Sequence, residues 1–321
     1  MTHPHDWQPY RAPAERLMVP SAGLRGPGVI IVTGPSSCGK GEISNALCEL
    51  LSIPHARWLS MGNILRGTYE RAAHDAEFRA MLTGKYRIAS DTPILDCIDT
   101  TPELVSKVEK QAALLNAQLH AKGSTAPQGD EAWRQASQLD WLELCTVNGL
   151  LVPDRWTQAL IAAHIESLPA LHTQPFLIDG YPRTKAAAAH LLEVFGELNV
   201  PVLKVLHLSI SKQEMLKRAG RRQRVDDNQE ALLKRYAFYI DSVQPSVDFL
   251  KDALGSDAIA LIDAHQPHYD LLDDNKVFNL QRSIRNVVYA AALHMGLPRV
   301  IIDALIATRA STQGAAAQVA L

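Results

Sequence analysis

Gly28–Leu51 reads GVIIVTGPSSCGKGEISNALCELL. Val29–Val32 is a short, mainly β-branched apolar run, the pattern of a strand buried on both faces. A turn of small residues follows, from Gly34 through Pro35, Ser36, Ser37, Cys38 and Gly39 to Lys40. Ile43, Ala46, Leu47, Leu50 and Leu51 then recur at helical spacing and form one apolar face. Strand, G-x-x-x-x-G-K and helix in that order make a phosphate-binding loop. The turn's backbone N–H groups and the helix N-terminus cradle anions, and the lysine brings positive charge to them. Gly41 stands where this motif commonly carries Ser or Thr.

Composition limits what surrounds that loop. The chain has 321 residues, 47% of them hydrophobic, and a formal charge of −2. It can bury a sizeable core in one enlarged domain or two. Near-neutral charge gives no global electrostatic case for binding nucleic acid, so any cationic site must be local. Cys38, Cys48, Cys97 and Cys145 lack paired spacing and read as reduced thiols of a cytoplasmic protein. No apolar run approaches the ~18 residues of a membrane span. The expected partners are therefore small molecules, with neither nucleic acid nor membrane, and the chain is expected to be a monomer.

Residues 1–27 read as an extension with five prolines and little periodicity. Residues 55–60 suggest a second strand, with a helix from about Gly62. Thr101-Pro102-Glu103 resembles a helix start, and Leu104, Val108, Ala112, Leu115 and Leu119 share one face beyond it. Helices are expected around Trp133–Leu142 and after Pro153-Asp154. Pro175–Tyr181, Val200–Ile210 and Ala258–Asp263 complete five strands. Helices are expected over Thr184–Phe195, Gln213–Arg222, Asn228–Leu250 and about 277–295, with 264–275 a polar connection. Leu297-Pro298 opens a final helix and the Ala-rich end frays. Five strands alternating with helices predict a parallel sheet in a three-layer α/β/α fold, with ligands at the strands' carboxyl ends.

Four segments together carry a family resemblance: the loop with its GKG; IPHARWLSMGNILRG (53–67); GLLVPD (149–154) with FLIDGYPRT (176–184); and LKRAGRRQRVDDNQEALLKRYAFY (216–239). In these the chain resembles the adenylate kinases, or more broadly the nucleoside monophosphate kinases. The resemblance covers a little over half the chain. It implies a kinase domain over 28–296 with a helical acceptor-binding insertion (60–152), a short lid (217–227) and a C-terminal helix and tail (297–321).

Phosphoryl transfer between two nucleotides brings two polyanions together, so catalysis rests on positioning and cationic stabilisation with water excluded. The resemblance implies Lys40, Asp179, Arg183, Arg224 and Arg235 as catalytic residues. Ser37, Cys38, Gly39, Lys40, Gly41, Glu42, Arg218 and Gln266 would contact ATP. Met61, Arg66, Leu150, Leu151, Val152, Gly180, Tyr181, Pro182, Arg183, Arg224 and Arg235 would contact the acceptor monophosphate, with Arg66 and Arg183 gripping its phosphate bidentately. Asp179 would orient water on Mg2+, and Glu42 is a second candidate for the metal. Asp226 and Asp227 would pin lid arginines. A lone basic run is usually a solvated face; order and spacing across four segments argue for the kinase reading here.

Some positions depart from the family pattern. Ser37 replaces a glycine, Glu42 a threonine and Asn63 an aspartate. Met61 and Ala187 stand where adenylate kinases read the acceptor base with Thr and Gln. The opening Gly-Pro-Ser resembles guanylate and cytidylate kinases. Three functions fit: transfer of the ATP γ-phosphoryl to a nucleoside monophosphate; phosphotransfer to another small molecule through a pocket built by the insertion; or nucleotide binding without catalysis.

Overall fold

The computed structural model describes residues 26–88, 106, 109, 116–117, 134, 137–148, 152, 154–222, 229–272 and 275–307. Its centre is strand β1 (Gly28–Thr33), buried along its whole length. Helix α1 (Lys40–Leu51) follows the glycine-rich turn. Next come β2 (Trp58–Ser60), α2 (Met61–His74) and α3 (Ala76–Gly84). Beyond them lie α4 (Gln138–Asn148), α5 (Asp154–Glu166), β3 (Pro175–Asp179) and α6 (Lys185–Glu197). Strand β4 (Val202–Ser209), α7 (Lys212–Arg222) and α8 (Gln229–Phe238) follow. A π-helical turn (Tyr239–Val243) joins α8 to α9 (Gln244–Leu254), and β5 (Ile259–Asp263) closes the sheet. A β6 (His268–Leu272), β7 (Asn275–Asn279) hairpin and α10 (Leu280–His294) come last, with further helix over 299–307.

The main sheet has the order β2-β3-β1-β4-β5, and every pairing in it is parallel. Successive side chains of β1 point to opposite faces. Val29 and Ile31 enter one core, with residues of α2–α6 and Leu250; Ile30 and Val32 enter the other, with α1 and α10. Helices thus cover both faces, as an all-parallel sheet requires, and the three-layer α/β/α expectation holds. Burial of β1 on both faces explains why it has no polar alternation.

Several sequence expectations need correction. Residues 55–57 form a 3-10 turn, and only Trp58–Ser60 is strand. Arg57 accounts for this: it is buried and donates to the carbonyls of Pro169, Ala170, Gln174 and Pro175, so this segment packs on the entry to β3. The polar connection at 264–275 instead contains β6, and the helix expected near 277 starts at Leu280 because β7 occupies the residues before it. The single helix expected over 228–250 contains the π turn. Thr101–Leu119 lies almost wholly outside the described residues.

Candidate functional site

Register brings the proposed machinery to one end of the sheet. Val32 pairs with Asp179, Thr33 with His207, and Ser60 with Asp179. The glycine-rich turn, the Asp179–Arg183 turn and the start of α2 therefore all leave the sheet at its carboxyl edge, where open parallel sheets hold ligands.

Gly34 and Gly39 shape the turn at φ 145° and 90°. A Cβ on Gly34 would be driven into the carbonyl oxygen of Leu208 on β4, so only glycine fits there. Ser37 also has positive φ, 60°. Lys40 curls over the turn, its Nζ donating to the carbonyls of Gly34 (3.0 Å) and Pro35 (2.8 Å) and lying 3.8 Å from Cys38 Sγ. Cys38 is fully enclosed; burial pushes its thiol pKa up, against the pull of the Lys40 charge. Gly41 and Glu42 are exposed on the first turn of α1.

Asp179 is 6% exposed, and its Oδ1 has no hydrogen-bond partner. Burial raises its pKa, while the charges of Lys40 and Arg183 act the other way. An orphaned carboxylate oxygen beside a cation is a costly arrangement in an empty core. It suits a water-mediated contact to a magnesium ion, which keeps several waters and needs few protein carboxylates. Among the described residues no group of three or more metal-ligating side chains gathers.

Arg183 is exposed, and its Nε donates to the Gly180 carbonyl at 2.7 Å. Arg66 is exposed one turn into α2, with Nη2 2.9 Å from Asn63 Oδ1. Arg218 lies at the loop itself: its Nη1 reaches the Cys38 carbonyl at 3.4 Å, Nη2 the Ala264 carbonyl at 3.0 Å, and Nε pairs with Glu214 at 2.9 Å. Gln266 follows β5, with Nε2 2.8 Å from the Asp263 carbonyl. Gly180 adopts φ 75°, and the Tyr181–Pro182 peptide is cis.

Other expected contacts lie deeper. Met61 and Tyr181 are each 2% exposed, and both pack into the core shared by α2–α6. Their side chains are therefore enclosed rather than offered at the surface. The Tyr181 hydroxyl faces the Ala187 carbonyl at 3.4 Å. Val152 is half-buried against the same core. Arg235 is half-buried on α8. Leu150, Leu151, Arg224, Asp226 and Asp227 lie outside the described residues.

Sequence reasoning missed a pair beside this site, a buried histidine and a half-buried tyrosine. His207 Nε2 lies 2.8 Å from the Tyr239 hydroxyl. Burial pushes the imidazole pKa down and the phenol up to about 12. A histidine inside the apolar run of β4 was the available signal.

The adenylate kinase family matches residues 136–254 of this chain. An adenylate kinase of Cyanothece sp. (strain PCC 7425 / ATCC 29141) is 31% identical over 128 residues, covering 39% of this chain and 63% of the relative. One from Mycobacterium sp. (strain MCS) is 33% identical over 116 residues, covering 36% and 63%. One from Thermobifida fusca (strain YX) is 34% identical over 105 residues, covering 32% and 54%. The matches thus span less than two thirds of these relatives. A gluconokinase from Sinorhizobium meliloti 1021 superposes over 84% of this chain and 92% of its own, with a TM-score of 0.36 and 14% identity. Among the described residues no helix is long and apolar enough to cross a membrane.

Proposed function

We propose that the chain is a nucleoside monophosphate kinase, moving the γ-phosphoryl of Mg-ATP to AMP or another nucleoside monophosphate. The observation that carries this reading is the Val32–Asp179 register. It sets the loop holding Lys40 beside an orphaned carboxylate, with Arg183 a few residues on. The family match over 136–254 supports the same assignment.

In this reading Lys40 leaves the Gly34 and Pro35 carbonyls to contact the donor phosphates, which are stronger acceptors than neutral carbonyls. Arg66 and Arg183 hold the acceptor phosphate, and Arg218 steadies the loop from the β5 side. Arg235, with Arg224, meets the charge that develops during transfer. Magnesium bound with the triphosphate would neutralise part of its charge, and Asp179, with Glu42 as a second candidate, is the group to hold its waters. The base of the acceptor meets few polar readers, because Met61 and Ala187 are both enclosed and apolar. A site without hydrogen-bonding readers loses the roughly 10⁴-fold discrimination such groups provide.

A coupled assay of ADP formation against AMP, CMP, UMP and GMP at saturating Mg-ATP tests both parts. Turnover is expected with several monophosphates, with AMP modestly preferred, and Lys40→Met should remove most of it. No turnover with any of them, or full activity in Lys40→Met, would reject the kinase reading. An AMP preference of about a thousandfold or more would reject weak base discrimination alone.

A further inference from the structure

Helix α7 carries Glu214 in its first turn and Arg218 four residues on, so the two side chains share a face. The Arg218 guanidinium ties three elements together. Its Nη1 donates to the Cys38 carbonyl in the glycine-rich turn at 3.4 Å, its Nη2 to the Ala264 carbonyl just past β5 at 3.0 Å, and its Nε to the Glu214 carboxylate at 2.9 Å. The Glu214 side chain is 16% exposed and that of Arg218 29%. The His265 ring meets the same carboxylate, with Nδ1 3.2 Å from Oε1, and Lys217 Nζ lies 4.0 Å from Oε2. Burial works to raise the Glu214 pKa, but the Arg218 bond and the neighbouring His265, Arg218 and Lys217 charges hold it below the usual carboxylate value.

The two ends of this guanidinium therefore have unequal partners. Nε is held by a carboxylate, whereas both Nη groups rest on neutral carbonyls. Charge-assisted bonds are roughly twice as strong as neutral ones. A phosphate arriving at the turn outcompetes the carbonyls for Nη1 and Nη2, but it does not displace the carboxylate from Nε. The guanidinium can thus turn toward the anion about an anchored Nε, and a long, rotamer-rich side chain is already confined before the ligand arrives. The negative charge of Glu214 opposes a triphosphate, but that effect is the weaker one. Arg218 and Lys217 lie against the carboxylate, and the positive end of α7 faces it as well.

We propose that Glu214 is a positioning residue for phosphoryl transfer: it anchors Arg218 Nε so that the two Nη groups stay over the glycine-rich turn and face the donor triphosphate. This rests on the nucleotide kinase reading.

The unaltered chain is first titrated by calorimetry with the magnesium complex of a non-hydrolysable ATP analogue and assayed for ADP formation. Absence of both binding and turnover rejects the kinase reading, and the proposal with it. Where both are present, Glu214→Ala is expected to raise KM for Mg-ATP and the Kd of the analogue about tenfold, the scale of one bond to a charged group. KM for AMP and kcat should change little, as for a contact made equally in ground and transition states. Glu214→Gln keeps an oxygen that accepts from Nε and should recover most of the loss. Combined with Arg218→Ala, Glu214→Ala should add almost nothing, because the two residues act as a unit. Unchanged or tighter analogue binding in a folded Glu214→Ala variant overturns the proposal while leaving the kinase reading in place. So do losses that multiply in the double variant. A further readout needs no Glu214 variant: the Arg218 Nε–H NMR signal of the unaltered chain, assigned with Arg218→Lys, should stay sharp and slow to exchange with solvent when the analogue saturates the site. Its loss on saturation overturns the anchor directly.

Discussion

The Tyr239 hydroxyl meets His207 Nε2 at 2.8 Å, fastening the π turn after α8 to the strand beside β1. Arg235 precedes Tyr239 by one helical turn, so this bond fixes the base of the helix that carries it. π turns inside helices frequently accompany functional sites. Tyr239→Phe is expected to lower kcat about tenfold with little change in KM for ATP, since contacts made only in the transition state are lost this way. Stability should fall by only about 1 kcal/mol. Unchanged kcat in Tyr239→Phe, with the same stability loss, would make the pair purely structural.

Two glycines of the same turn should differ. Gly34→Ala meets the Leu208 carbonyl and also forces alanine to φ 145°. Gly39→Ala suffers the unfavourable φ, but its Cβ meets only Ile43 Cδ1, at 3.8 Å. Denaturant unfolding should show a loss of about 1–3 kcal/mol for Gly39→Ala and a clearly larger one for Gly34→Ala. Equal losses would mean that β1 and β4 part easily.

His164 makes stability depend on pH. It sits between Thr68 Oγ1 (3.2 Å) and Arg71 Nη1 (3.3 Å), edge-on to Phe78. Burial, and next the Arg71 charge, push its pKa down from 6.5 to about 4. A depressed histidine pKa contributes stability that is present above the unfolded value and lost as pH falls toward the folded one. The window is thus pH 6.5 down to about 4, with roughly 2 kcal/mol gone by about pH 5. Urea midpoints should fall across that window in the wild-type chain and less steeply in His164→Gln. Parallel slopes would exclude His164 as the source.

Glu42 projects from the first turn of α1, exposed, two residues after Lys40. Its negative charge opposes a triphosphate placed at that helix end, although carboxylates do bind magnesium. Glu42→Thr is expected to lower KM for Mg-ATP several-fold. A large loss of kcat would instead make the carboxylate a required ligand.

The parts of the fold legible in the sequence were those whose burial leaves a one-letter pattern. Strands β1 and β3 are uninterrupted apolar runs because both faces are covered. The β6–β7 hairpin hid because Tyr269, Leu271, Leu272, Val277 and Phe278 are exposed, and they sit among polar residues that resemble a loop. Arg66 and Arg183 were picked out by motif, Arg66 within the segment 53–67 and Arg183 after the Asp179-Gly180 turn. The enclosure of Met61 could not, because it depends on α4 and α5 closing over α2. The His207–Tyr239 contact joins residues 32 positions apart, a distance no local pattern spans.

The central position of β1 also has a consequence in time. Amide protons exchange with solvent through openings whose cost rises from frayed edges to the innermost elements. Strand β1 is bonded on both sides and sealed on both faces, whereas β2 and β5 each have one open edge. Its amides should therefore be the last in the sheet to take up deuterium, and the turn that carries Lys40 begins where that protection ends. Breathing of the outer strands would leave the anchorage of the lysine intact, so the loop can loosen or tighten around an anion from a fixed root.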